Sequence, residues 1–276
     1  MEKKSIENQL SVKGLFDSHA HYFDSRWEGQ AEDLLENGLF GKGLGGIVNV
    51  ATDPENALRC IEQAKRHEGM YAAVGIHPTD CKALRGSVDD EVSRIRYLLD
   101  TEEKRRENKI VALGEIGLDY HWEPIEEELQ KQYFHAQMAL AEELSLPVII
   151  HDREAHGDCF ETVLRYPKVR GVFHSISGSA EMARELCRRG WYISFSGVVT
   201  FKNGRRAREA AMVVPMDRIL AETDAPYLAP EPFRGRMNHS GLMNYTVSAL
   251  SEIKGVSYED MVRITAENAR RLFGLA

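Results

Sequence analysis

Eight apolar, β-branched-rich runs recur along the 276-residue chain, near 14–19, 46–51, 71–76, 110–115, 147–151, 170–174, 191–196 and 218–223, with helical stretches between them. Alternation of this kind forces parallel strands, since each strand returns to the same end of the sheet through a crossover, and such crossovers are right-handed. About eight units in this length match a single-domain (β/α)8 TIM-like barrel, an α/β fold. An open, doubly wound sheet is the competing arrangement, and the position of the polar residues separates the two. Helical spacing is clear after Asp53-Pro54, where Ala57-Leu58, Ile61 and Ala64-Lys65 follow a cap and a first-turn proline. It is also clear over 126–146, where Leu129, Tyr133, Ala136-Gln137 and Leu140 form one stripe that Pro147 ends. The charged run 102–109 reads as the solvated end of a helix. Gly41 to Gly46 spells G-x-G-x-x-G but precedes a strand, so it reads as a helix cap and turn and not as a dinucleotide cradle.

The ends of these runs carry the chemistry. The first run ends in Asp17-Ser18-His19-Ala20-His21, and a strand period of two would put Asp17, His19 and His21 on one face. Later runs end at His77, Glu115, His151, His174 and Asp224. In a barrel, catalytic groups sit at the C-terminal ends of strands. A hydrogen-bonded core histidine is the ordinary reading of any one of these residues, but seven at seven expected rim positions argue for one shared site. Nitrogen-rich ligands suit Zn²⁺, Mn²⁺ or Fe²⁺ better than Mg²⁺, and six ligand candidates exceed what one catalytic zinc uses. Two ions bridged by Glu115 fit the count. Asp224 is the expected proton acceptor, with Glu222 on the same face one layer deeper as a supporting group. Arg153 shares parity with His151 and, with His77, is the candidate for substrate contact. Lys202, Arg234 and Arg236 follow the last two strands and are weaker phosphate-binding candidates.

Composition narrows the partners. A net charge of −8 argues against broad, sequence-blind coating of nucleic acid, while leaving room for local binding beside a metal site. Cys60, Cys81, Cys159 and Cys187 are scattered without Cys-x-x-Cys spacing, which fits reduced thiols in a cytoplasmic protein. Residues 1–10 are polar and lack the apolar core of a signal peptide, and no run approaches the ~18 apolar residues of a membrane span. The expected organisation is a polar extension over 1–12 and one barrel domain over 13–276, with no obligate protein partner evident.

Asp17-Ser-His-Ala-His21, Gly75-Ile-His-Pro78, Gly114-Glu-Ile-Gly-Leu-Asp-Tyr120, His151-Asp-Arg153, Phe173-His174, Ser177-Gly178 and Glu222-Thr-Asp-Ala-Pro-Tyr-Leu228 together resemble TatD-type metal-dependent deoxyribonucleases, as does Glu267-Asn-Ala-Arg-Arg-Leu-Phe273. The resemblance runs from about residue 13 to 274. It implies a barrel of the metal-dependent hydrolase superfamily with one or two divalent ions, Zn²⁺, Mn²⁺ or Mg²⁺. It also implies His19, His21, Glu115, His151, His174 and Asp224 as ligands, with Glu115 and Asp224 serving catalysis. Family members are described as DNA nucleases, some of them 3′ to 5′ exonucleases. The expected reaction is cleavage of a DNA phosphodiester by a metal-bound hydroxide. An amide or ester hydrolase on the same platform is the alternative, and an idle binding barrel is disfavoured by the complete ligand set. Three departures stand out: His174-Ser-Ile-Ser-Gly178, where the family often reads His-Cys-Phe-Ser-Gly; His239 at a commonly acidic position; and His121 after Asp119-Tyr120.

Overall fold

The structure, a computed structural model, describes residues 11–275, so the first ten residues of the expected N-terminal extension lie outside it. Eight strands form where the apolar runs stand: β1 (Phe16–Ala20), β2 (Gly46–Val50), β3 (Met70–Val74), β4 (Ile110–Asp119), β5 (Val148–Arg153), β6 (Gly171–Phe173), β7 (Tyr192–Phe195) and β8 (Ile219–Ala221). All neighbours are parallel, and the spatial order is the order in sequence. A doubly wound sheet would reverse direction at a switch point. This one returns to its start, through a bridge between Ala20 and Ala225.

That seam is closed without a regular ladder. His21 N–H donates to Ala225 O at 2.7 Å and Asp224 N–H to His19 O at 2.9 Å. Asp17 completes it, accepting from Thr223 N–H at 3.0 Å, Thr223 Oγ1 at 2.6 Å and Ser240 Oγ at 2.6 Å. The register of β1 against β2 shifts between Asp17 and Ala20. Asp17 therefore does not join His19 and His21 as a ligand candidate, because its carboxylate stands in for a missing strand pair. Burial pushes its carboxyl up to about 7 against the hydrogen bonds that favour the charged form.

Two apolar layers position everything else. Inside the barrel, Phe16, Val48, Val50, Ala73, Ala112, Ile149, Val172 and Leu220 pack together. The last helix, Tyr258–Phe273, sends Ala266, Ala269 and Phe273 into that cluster. Its Asn268 amide donates to Met216 O and Ile219 O at the start of β8, so this helix closes the end opposite the strand C-termini. The outward strand residues, among them Ile47, Met70, Leu113, Val148, Phe173 and Ile193, pack against the surrounding helices in a second layer.

The helices begin and end for local reasons. Asp53 caps Pro54–Arg66 by accepting from Asn56 N–H, as expected from the Asp-Pro pair. Helix Glu127–Leu144 stops at Ser145, which takes a left-handed conformation (φ 54°), so Ser145 and not Pro147 terminates it. Its buried Gln130 and Gln137 each bond both the N–H and the C=O of one backbone residue, Asp119 in β4 and Ile76 just after β3, which explains a polar residue on the apolar stripe. The run 102–109 forms a short separate helix, Glu102–Glu107, with no buried residue. Gly43, left-handed at φ 86°, caps the turn before β2, in line with the rejection of a dinucleotide loop. No helix of the described residues is long and apolar enough to cross a membrane, and all four cysteines are free and buried.

Strand β4 runs four residues further than expected, and Gly117 makes that possible. At φ 142°, a Cβ there would lie 2.0 Å from the His151 carbonyl oxygen of β5. Gly117→Ala is accordingly expected to destabilise the metal-free protein by about 3 kcal/mol or more, read as a lowered thermal midpoint. An unchanged midpoint would mean that β4 and β5 do not approach this closely.

Candidate metal centre

The C-terminal ends of the strands converge on one buried carboxylate. Glu115 lies within β4 and not at its end, and its two oxygens face different partners. Oε2 is 3.3 Å from His19 Nε2 and 3.6 Å from His21 Nε2. Asp224 Oδ1 lies 3.3 Å from His21 Nε2 and 3.7 Å from His19 Nε2, completing the first group. Oε1 is 2.7 Å from His151 Nδ1, 2.8 Å from His174 Nε2 and 3.5 Å from His77 Nε2. All seven expected rim residues thus meet at one place, in overlapping groups compact enough to hold metal ions.

Outer hydrogen bonds decide which way the imidazole protons face. His21 Nδ1 lies 2.7 Å from Val50 O, which can only accept, so Nδ1 carries a hydrogen and Nε2 faces inward, as a donor to Asp224 when the ring is charged and as a lone pair when it is neutral. His151 faces a carboxylate on each side, Asp119 Oδ2 at 3.0 Å from Nε2 and Glu115 Oε1 at 2.7 Å from Nδ1, so a neutral ring that keeps its hydrogen toward Asp119 would present Nδ1 inward as a lone pair. His174 Nδ1 donates to Glu222 Oε1 at 3.2 Å, leaving Nε2 inward. The inward nitrogens of His151 and His174 are 3.2 Å apart and both face Glu115 Oε1, so with both rings neutral their lone pairs would crowd an anionic oxygen. Acceptors crowded on acceptors require positive charge between them. In the metal-free protein protons supply it: burial opposes their charge, but hydrogen bonds to Asp119 and Glu115 raise His151, and the charges of Glu115 and Glu222 raise His174; divalent cations would displace those protons and take the lone pairs. The donor set fits a divalent metal.

Charge follows the same logic. Burial would raise the Glu115 carboxyl, but the surrounding imidazoles hold it well below its ordinary value. Burial likewise opposes ionisation of Asp224, and its hydrogen bond with His21 and the nearby histidine charges outweigh that and hold it low. Both carboxylates are therefore ionised at neutral pH.

His77 differs from its neighbours. Its Nδ1 accepts from Thr79 N–H at 3.2 Å, so its inward Nε2 carries a hydrogen. Burial lowers it to about 3, which keeps the ring neutral. A neutral donor pointing into the centre suits contact with an anionic oxygen better than metal ligation.

Asp119 is the residue that sequence reasoning missed. It ends β4, its Oδ2 orients His151, and its Oδ1 accepts from the His121 and Trp122 backbone N–H groups at 2.9 and 3.3 Å. The spacing Glu115-x-Gly117-x-Asp119 at strand parity was the available signal. Glu222 is fully buried against His174, as its expected depth requires. However, β8 ends at Ala221 and Asp224 sits in a left-handed turn (φ 58°), so the two carboxylates do not share the strand face expected of them.

Of the cationic candidates, Arg153 lies over the Trp122 ring at 5.1 Å and its guanidinium donates to no group among the described residues. Arg234 and Arg236 stack on Phe201 and Phe233, and Lys202 is exposed, so none of these three joins the carboxylate–imidazole cluster. His121 pairs with Glu154 at 2.7 Å, and His239 accepts from Gly241 N–H in a turn, so both histidines have structural partners outside the cluster.

The family model described as TatD related DNase matches residues 16–274. The chain belongs to that family. It is 38% identical to the uncharacterized metal-dependent hydrolase YabD of Bacillus subtilis, over 94% of this chain and 98% of that one. It is 34% identical to the uncharacterized metal-dependent hydrolase TatD of Mycobacterium tuberculosis, covering 95% and 98%. The crystal structure of YJJV, a TatD homolog from Escherichia coli, superposes with a TM-score of 0.87 at 27% identity, covering 96% of this chain and all of that one. A phosphotriesterase homology protein from Escherichia coli shares the fold at 14% identity and a TM-score of 0.64. This TatD-family chain is therefore a metal-dependent hydrolase by family.

Because Asp119 and Glu222 set the tautomers of His151 and His174, Asp119→Asn and Glu222→Gln are each expected to weaken divalent-metal affinity on the order of 10- to 100-fold. Chelator competition followed by elemental analysis reads this directly. Affinity should also fall as pH falls, because protons compete for the inward lone pairs. Unchanged affinity in both variants would remove these carboxylates from any role in tuning the centre.

Proposed function

We propose that this TatD-family hydrolase cleaves phosphodiester bonds of DNA, with divalent ions held by His19, His21, Glu115, His151, His174 and Asp224. The observation that carries the reading is Arg153. An arginine beside a buried cation site, with a fork of donors used by no neighbouring side chain, suits a phosphate oxygen pair better than a neutral amide or ester. Charge complementarity is local. With a net charge of −8 the surface offers no general attraction to a polyanion, so the substrate is engaged at the mouth, as at a strand end.

Divalent ions in such a site lower the pKa of attacking water and offset charge on phosphoryl oxygens. The chain's own groups do the rest. Asp224, ionised and fixed by its backbone bond to His19 O, takes the proton of the attacking water. Arg153 orients the phosphate, and the Nε2–H of His77 donates to a non-bridging oxygen. Asp119 and Glu222 hold His151 and His174 in their working tautomers. The phosphorus–oxygen bond to the leaving sugar breaks, giving a phosphomonoester and a free hydroxyl.

The test compares wild type, Asp224→Asn and Arg153→Lys on single-stranded DNA, duplex DNA, a simple phosphodiester and a carboxyl ester, with Zn²⁺, Mn²⁺ or Mg²⁺ supplied. Asp224→Asn should lower turnover on the order of 100-fold or more. Arg153→Lys should weaken DNA cleavage while leaving metal content unchanged, since lysine cannot reproduce the fork. Elemental analysis of loaded protein should give more than one equivalent of metal. Ester or amide cleavage without any phosphodiester cleavage would overturn the nuclease reading and leave the small-substrate hydrolase in its place.

A further inference from the structure

The chain has three tryptophans, and two of them are buried. Trp122 is 57% exposed, although it follows closely on Asp119, whose carboxylate contacts His151 of the metal centre. Nothing in packing calls for an open indole there. Its position is nevertheless well defined, since its backbone N–H and that of His121 are held by Asp119, the carboxylate that also orients His151. Arg153 is paired in register with Asp119 across β4 and β5, and its carbonyl accepts from Tyr120 N–H. The guanidinium then lies against the indole at 5.1 Å. A phosphate donor and an exposed aromatic ring are thus mounted side by side on two adjacent strand ends.

We propose that Trp122 is a stacking platform for a nucleobase adjacent to the scissile phosphate, which makes it a specificity-determining residue of the site. The inference rests on the phosphodiesterase reading and deepens it. In a nucleotide, base and phosphate are carried on one sugar, so a phosphate gripped by Arg153 brings its base within reach of the neighbouring ring. Every base offers a π-face, so stacking of this kind is tolerant of sequence. A base already stacked and paired inside a duplex has no free face to offer, so the platform favours an unpaired nucleotide at the cleavage point. Tyr97, also exposed and also covered by a cation (Lys104), lies on the outer helix Val88–Leu99 and serves as the comparison.

Intrinsic fluorescence gives a readout independent of turnover, because Trp122 is the one exposed indole among the described residues. Metal-loaded Asp224→Asn protein is titrated with a short single-stranded oligodeoxythymidylate and with an abasic phosphodiester strand of equal length. Quenching is expected with the first and not with the second. Trp122→Ala should raise the Kd for the base-bearing strand on the order of 10- to 100-fold, Trp122→Phe should recover most of the loss, and Tyr97→Ala should change nothing. In the active protein Trp122→Ala should raise KM for the oligonucleotide with kcat retained. Equal losses on base-bearing and abasic strands, or no loss on either, would overturn the platform while the phosphodiesterase reading stands. Wild-type protein that neither binds nor cleaves any of these strands would overturn both.

Discussion

Glu115 is the group around which the molecule is arranged. It is a buried carboxylate near the barrel axis with five imidazole nitrogens within 3.6 Å. An anion in such a place is costly unless cations or donors surround it. Val50 O, Asp119 and Glu222 each accept from the outer nitrogen of one ring, so three of the five rings can turn a lone pair toward it once they are neutral. The protein thus gathers negative and lone-pair character at the centre of its own barrel. Divalent charge entering there displaces the imidazole protons, which makes metal binding dependent on pH and adds its free energy to that of the folded state.

The closing of the barrel and the shaping of the site are one event. Residues 223–225 link β8 to β1 through Asp17, His19 and His21, and the same three residues carry Asp224 into the centre. Asp224 takes a left-handed backbone conformation, which is uncommon for a residue with a side chain and persists where surrounding contacts demand it. Here the demand comes from its amide bond to His19 O and from Tyr227 N–H bonding its carbonyl. A change to Asp17 would therefore be felt at Asp224, although Asp17 is no ligand candidate.

Affinity for a polyanion on an acidic protein needs concentrated rather than distributed contacts. In the proposed reading that contact is Arg153 with Trp122; the Asp119 carboxylate bonds the Trp122 N–H and contacts His151, while Arg153 is placed beside it by the β4–β5 register. The fold is shared with the phosphotriesterase homology protein of Escherichia coli, and a barrel by itself does not set specificity.

The alternation of apolar runs determined the strand number, their parallel direction and the barrel. Residue chemistry at the run ends identified the centre and Glu115 as the shared carboxylate. Both were legible because period and ligand type are local properties of the chain. What depended on register between distant strands was not. Asp17 reads as a ligand by parity and becomes a seam bond, because β1 shifts register against β2 there and meets the chain after β8 through side-chain bonds instead of a ladder. Asp119 joins the site only because Gly117 lets β4 run on against β5. The Glu222–Asp224 spacing reads as one strand face, yet β8 stops before either residue. The imidazole tautomers, and with them the separation of His77 from the metal ligand candidates, depend on which carbonyl or carboxylate lies behind each ring. Those partners come from strands and loops remote in sequence, so only the closed barrel decides them.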